Sequence, residues 1–244
     1  MPDAQQADLF NFHHPLKHLT KSLKTQRNTK IVAFGSSSTA GKSPVVPFPA
    51  YLELMLRGEF GIEKTREFGK RMINVINRGV GGEEASTELP RMQSDVIDEA
   101  PSLVIWQVGT NAVLRNIDPA DVAKLVEDGV GRIQAAGSDI VLVDPQYSPR
   151  VNEKAENAGK MVKLLGRVAE LRKIAVFPRF EVMRDWHERQ SIPTEEFIVP
   201  DGLLMSDWGY SCFAQLLGDD IIKSVGQIKL GVAVPSDVRT YRPM

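Results

Sequence analysis

Apolar positions along the chain follow two alternating patterns. Continuous, β-branched runs at Ile31 to Phe34, Ile73 to Ile76, Leu103 to Val108, Ile140 to Val143 and Ile174 to Phe177 predict five strands buried on both faces. Segments of helical period lie between and after them. Asp118 followed by Pro119 reads as a cap and a first-turn proline, and Val122, Leu125, Val126, Val130 and Ile133 then form one stripe opposite Asp121, Lys124, Asp128 and Arg132. A second stripe after Asn152 contains Met161, Val162, Leu165, Val168 and Ala169. A last one begins near Ser206 and runs through Phe213, Leu216, Leu217, Ile221 and Val225 to Gly226. This β-α alternation predicts an α/β protein: a three-layer α/β/α sandwich around a central parallel sheet of about five strands, joined by right-handed crossovers.

The flanks read differently. Residues 1–29 form an N-terminal arm in which Leu16, Leu19 and Leu23 recur at near-helical spacing among Lys17, Lys21, Lys24 and Arg27. A weak amphipathic helix touching a membrane or a partner would fit, but a solvated arm packed on the domain is the expectation. The domain itself spans 30–228. Residues 229–244, with Pro235 and Pro243, read as a C-terminal extension strapped over it.

Composition narrows the class. The 244 residues are 42% hydrophobic with a formal net charge of -1, so the core is sizeable and no global field draws the chain to nucleic acid. No signal-peptide core and no membrane-length apolar run is present, which makes a cytoplasmic location the expectation. The lone Cys212 cannot form an internal disulfide and lies among apolar residues, where burial is expected. His14 and His18 share a helix face but lack an HExxH pattern or an evident third ligand, so no metal is expected.

In a parallel sheet of this kind, ligands bind at the carboxyl ends of the strands. Four short blocks bring chemistry to that region: Gly35-Ser36-Ser37-Ser38-Thr39, Asn77-Arg78-Gly79-Val80-Gly81-Gly82, Gly109-Thr110-Asn111, and Asp201-Gly202-Leu203-Leu204. Ser37 stands where a strand ends and the chain turns, the position of a nucleophile. The Ser37 and Gly82 N–H groups and the Asn111 amide are natural donors to an oxyanion. Taken alone, each block is also an ordinary turn or Asx motif.

Together the blocks resemble those of the SGNH (GDSL-type) hydrolase superfamily, over roughly Lys30 to Val225. The resemblance implies a flavodoxin-like α/β/α topology, no cofactor, and a serine esterase acting on small-molecule or carbohydrate acyl or acetyl esters. It also implies roles: Ser37 attacks, Gly82 and Asn111 help hold the oxyanion, and Asp201 orients a histidine three residues later. This chain departs twice. Ser36 replaces the usual aspartate of the first block, and Leu204 occupies the histidine position. Leucine cannot accept a proton, so turnover is expected to be impaired. The alternative is a catalytically inactive protein that keeps the cleft for binding.

His187, beyond the fifth strand, is a weak substitute base, as are Glu83 and Asp201. Tyr147, Trp186 and Trp208 are aromatics near the cleft, Trp208 being the candidate wall. Trp106 is expected in the core, and the segment from Pro44 to Pro49 is expected to form a stiff lip. Two rival readings fail on their own residues. Gly41-Lys42-Ser43 grazes a phosphate-binding loop, but five residues separate Gly35 from Gly41 and three prolines follow. Ser37 to Gly41 hints at an FMN-binding loop without a second flavin signature.

Overall fold

The computed structural model describes residues 11–61 and 72–227. Each expected strand forms, with ends no more than three residues from those anticipated. In chain order the elements are α1 (Lys17–Thr25), β1 (Asn28–Gly35), α2 (Ser37–Ala40), α3 (Phe48–Phe60), β2 (Met72–Gly79) and α4 (Ala85–Met92). A π-helical turn at Gln93–Ile97 extends α4. Then come β3 (Leu103–Gln107), α5 (Thr110–Leu114), α6 (Pro119–Ala135), β4 (Asp139–Val143), α7 (Pro149–Asn152) and α8 (Ala155–Arg172). Last are β5 (Ala175–Phe177), α9 (Arg179–Glu188), α10 (Thr194–Phe197) and α11 (Asp207–Gln227).

All five strands pair in parallel, in the order β2-β1-β3-β4-β5. Successive side chains of a strand point to opposite faces, and both faces are covered. Ile31, Ala33, Ile105 and Val143 pack with Leu19 of α1, Leu52 of α3 and Phe213 and Leu217 of α11. Val32, Phe34, Val104 and Trp106 pack with Leu89 of α4, Val126 and Val130 of α6, and Leu165 of α8. Trp106 is a core residue, and Cys212 is buried. The start of α6 is as read: the Asp118 carboxylate accepts the Ala120 N–H at 2.9 Å, and Pro119 occupies the first turn.

The stripe of the N-terminal arm turns inward. Leu16, Leu19 and Leu23 belong to the same core as α3 and α11, so they face protein rather than a lipid surface. Two side chains secure the segment: Asp139 Oδ2 accepts the Leu19 N–H at 2.9 Å, and Ser224 Oγ accepts the Leu16 N–H at 3.2 Å. The 229–244 extension lies outside the described residues. Among those residues, no helix is long and apolar enough to cross a membrane.

Candidate active site

The corner that holds Ser37 is built by two glycines and the polar groups beside them. β1 ends at Gly35 with φ +146°, where a side chain would stand 2.5 Å from Gln107 O. Ser36 caps α2, which leaves Ser37 in the first turn, half-buried, with its N–H free of any partner among the described residues. β2 grips α2 from the other side. Asn77 Nδ2 donates to Thr39 O at 2.9 Å while its Oδ1 accepts the Gly79 N–H at 2.9 Å. At Gly79 a Cβ would meet Ala40 N at 2.1 Å, so only glycine lets α2 sit this close.

The loop after β2 carries the second group to Ser37. Gly82, at φ +82°, donates its N–H to Ser37 Oγ at 3.2 Å. α5 clamps that loop: Asn111 Nδ2 donates to Glu83 O at 2.6 Å and Arg115 Nη2 donates to Gly82 O at 2.8 Å. An amide nitrogen has two hydrogens. One from Asn111 holds the loop, which leaves the other for a ligand.

The fourth block closes into an Asx turn. Asp201 Oδ1 accepts the N–H groups of both Leu203 and Leu204 at 2.8 Å. Val199 N–H donates to Leu204 O at 2.9 Å, Arg150 N–H donates to Gly202 O at 3.2 Å, and Gln146 Nε2 donates to Leu203 O. The turn is thus held by backbone groups and by side chains other than that of residue 204. Leu204 itself is half-buried.

Ser37 and Gly82 touch, and Asn111 grips the residue after Gly82. Asp201 and Leu204 make no hydrogen bond to Ser37; the connection runs through Ser38 and Gln146. Three of the four histidines are engaged elsewhere. His187 Nδ1 lies 3.0 Å from Ile192 O with its ring 6.1 Å from that of Tyr147, and His13 and His14 approach Glu170. Glu83 pairs with Arg91 at 2.6 Å. Trp208 packs edge-on against Trp186 at 5.9 Å, and the lip is tied to the start of α11 where the Val46 N–H donates to Asp207 Oδ1 at 2.9 Å.

The turn hydroxyls point inward. Ser38 Oγ donates to Gln146 and Thr39 Oγ1 to Gln107, while Lys42 follows the end of α2 rather than starting a helix. A phosphate loop needs the opposite on both counts. No group of three potential metal ligands occurs among the described residues. Two surface clefts, of about 460 and 750 Å³, lie along α8; neither is lined by Ser37, Gly82, Asn111 or Asp201. Residues 4–227 match the non-GDSL lipase-like family.

The chain belongs to that family. Esterase TesA of Pseudomonas aeruginosa is 27% identical over 110 residues, which are 43% of this chain and 52% of TesA, so the match spans about half of that relative. An arylesterase of Vibrio mimicus is 20% identical over 204 residues, 83% of this chain and 92% of the relative. The solved lipase/acylhydrolase from Enterococcus faecalis superposes with TM-score 0.64 at 26% identity, covering 82% of this chain and 96% of its own. The acetylxylan esterase Axe2 of Geobacillus stearothermophilus shares the fold, with TM-score 0.62, 16% identity and coverage of 81% and 94%. Catalytic mutants of Axe2 replace a serine, an aspartate and a histidine, the last two three positions apart. The sheet and its helical layers are those of SGNH-type hydrolases.

Within this member of the family, several residues around the blocks escape sequence reasoning. Gln107 ends β3, Gln146 lies in the loop after β4, and both are buried. Arg179, fully buried at the start of α9, donates to Asp144 O at 3.1 Å and Thr110 Oγ1 at 3.3 Å. Burial pulls the Arg179 guanidinium down to about 10, pushes the Asp144 carboxyl up to about 7, and raises the Tyr210 hydroxyl to about 12. For Gln107, Asp144, Gln146 and Arg179 the only local signal is a polar residue at or just beyond the carboxyl end of an apolar run.

Proposed function

We propose that this chain carries the site of a serine ester hydrolase, acting on acyl or acetyl esters of small alcohols or carbohydrates, whose turnover is impaired because Leu204 occupies the position of the base. The observation that carries the reading is the 3.2 Å contact from the Gly82 N–H to Ser37 Oγ. A donor beside the attacking oxygen also lies beside the oxyanion that attack creates, and each such donor is worth about 3 kcal/mol in the transition state. The unpaired Ser37 N–H and the second Asn111 hydrogen supply the others.

In the active form of such a site, Ser37 Oγ attacks the acyl carbon while a base takes its proton. The alcohol then leaves with that proton, and water releases the acyl group by the same steps. Asp201 is the orienting carboxylate in this reading, which is supported by its three-residue distance from position 204, the spacing of the aspartate and histidine of Axe2. Leucine at 204 supplies no base. Loss of the histidine from a serine-hydrolase triad costs about 10⁶ in turnover, with about 10³ to 10⁴ over water remaining from the oxyanion donors and binding.

Covalent labelling tests the roles. A fluorophosphonate is expected to modify Leu204→His on the peptide containing Ser37, at a rate at least about 10³ times that of the unaltered chain; mass spectrometry reads the adduct. Leu204→His with Ser37→Ala is expected to stay unlabelled. Labelling that persists in the double variant would remove Ser37 from the role.

A further inference from the structure

Gln146 touches three of the four blocks, two through its side chain and one through its backbone. It lies in the loop after β4 and is 1% exposed. Its Oε1 accepts the Ser38 hydroxyl at 3.0 Å, next to Ser37, and its Nε2 donates to Leu203 O, next to Leu204. Its backbone N–H donates to Thr110 Oγ1 at 3.3 Å, next to Asn111. The chemistry of the partners fixes the orientation of the amide: the Leu203 carbonyl can only accept, so it must face the NH₂ end. A primary amide is the neutral side chain that donates at one end and accepts at the other over this span.

No other side-chain hydrogen bond among the described residues joins α2 to the 201–204 turn. The remaining fastenings of that turn, Asp201 Oδ1, the backbone bonds between Val199 and residues 202 and 204, and the Arg150 N–H, set its shape and its attachment to α7, but not its distance from the nucleophile. We infer that Gln146 is a positioning residue that sets the separation between Ser37 and position 204, and therefore the line along which a base at 204 reaches the serine. The inference rests on the hydrolase reading for its kinetic part only. A misplacement of about 1 Å between reacting groups costs about 10²-fold in rate, so the loss is expected in kcat rather than in KM.

Two variants separate this role from simple stability. Gln146→Leu removes both contacts. Gln146→Glu keeps the acceptor for Ser38 but, when ionised, sets an oxygen against Leu203 O; when protonated it restores a donor there. In the Leu204→His background, Gln146→Leu is expected to lower kcat for p-nitrophenyl acetate by about 10- to 100-fold with KM within threefold. Gln146→Glu is expected to lose activity relative to that background as pH rises and to regain it on acidification, which a merely structural role would not produce.

In the chain with Leu204 retained, Gln146→Leu is expected to speed amide hydrogen exchange at Val199, Leu203 and Leu204 at least about tenfold while β1 and β3 stay protected. Unchanged kcat in both Gln146 variants, with Leu204→His active, overturns the inference. Should Leu204→His prove inactive, the hydrolase reading fails separately. Hydrogen exchange then decides the positioning role alone, and unaltered exchange in the 199–204 turn rejects it. If Gln146→Leu does not fold, the near-isosteric Gln146→Glu carries both measurements.

Discussion

Ser36 is held in place by an acceptor from β3. Gln107 Oε1 receives the Ser36 N–H at 3.2 Å, the Ser36 hydroxyl at 3.0 Å and the Thr39 hydroxyl at 3.4 Å. Gln107→Leu would leave three buried donors without that oxygen, and a loss of about 2–4 kcal/mol in urea unfolding is expected. A loss under 1 kcal/mol would show that other groups hold the corner. Glu88 offers a test by pH. Burial pushes its carboxyl from an ordinary 4.5 to about 7, against the lowering effect of the Trp106 N–H bonded at 2.7 Å and of Arg91, and with Glu83 and Glu84 adding to the rise. The folded state therefore holds this proton after the unfolded chain has released it, so stability falls as pH rises from about 4.5 to about 7 and levels off above. Glu88→Gln keeps an acceptor for Trp106 and removes the titration. Its stability relative to the parent is expected to rise by up to about 3 kcal/mol between pH 4.5 and pH 8. Parallel stability curves for the two proteins would contradict this assignment.

Among the elements, α4 and α1 do more than cover the sheet. Arg91 of α4 donates to Gly35 O at 3.2 Å and to Arg78 O at 2.9 Å, pairs with Glu83 at 2.6 Å and Asp95 at 2.8 Å, and lies over the Phe34 ring. One guanidinium thus braces the ends of β1 and β2 and the loop that presents Gly82. α1 contributes through packing. Leu19→Ala is expected to cost about 2–5 kcal/mol, measured by chemical denaturation, because the side chain is 1% exposed between the sheet and its helices; a helix reserved for a membrane or partner would lose almost nothing. The strands were legible because burial on both faces leaves continuous apolar runs, and α6 because Asp118 and Pro119 mark its start. The arm was harder: its three leucines have the right spacing, but the lysines between them suit a solvated segment equally well. The pairings of Gln146 and Arg179 were not legible. Their partners lie far off in the chain, 108 residues from Ser38 to Gln146 and 69 from Thr110 to Arg179, and no local pattern encodes such pairings.

For the molecule as a whole, both layers of helices close on a sheet whose carboxyl edge carries the first three blocks, and Gln146 joins the 201–204 turn to the first of them. Integrity of that scaffold can be followed through Cys212, buried in α11 with its thiol pushed up to about 11 by desolvation. Its reaction with a disulfide reagent is expected only at the rate of unfolding, and fast labelling of the native protein would contradict the packing described. The four blocks were readable as a set because each lies just after a strand or in the last loop, but the way they hold one another was not. The structure adds that the Asp201 turn forms with leucine in place, held by the backbone N–H groups of residues 203 and 204 rather than by an imidazole. Substitution at 204 should therefore change the chemistry without rebuilding the loop. The most direct test is p-nitrophenyl acetate hydrolysis by the unaltered chain, by Leu204→His, and by Leu204→His with Ser37→Ala. The account predicts hydrolysis that rises by at least about 10³-fold with the introduced imidazole and disappears with the alanine. An unaltered chain as active as Leu204→His, or three equally inactive folded proteins, would contradict it.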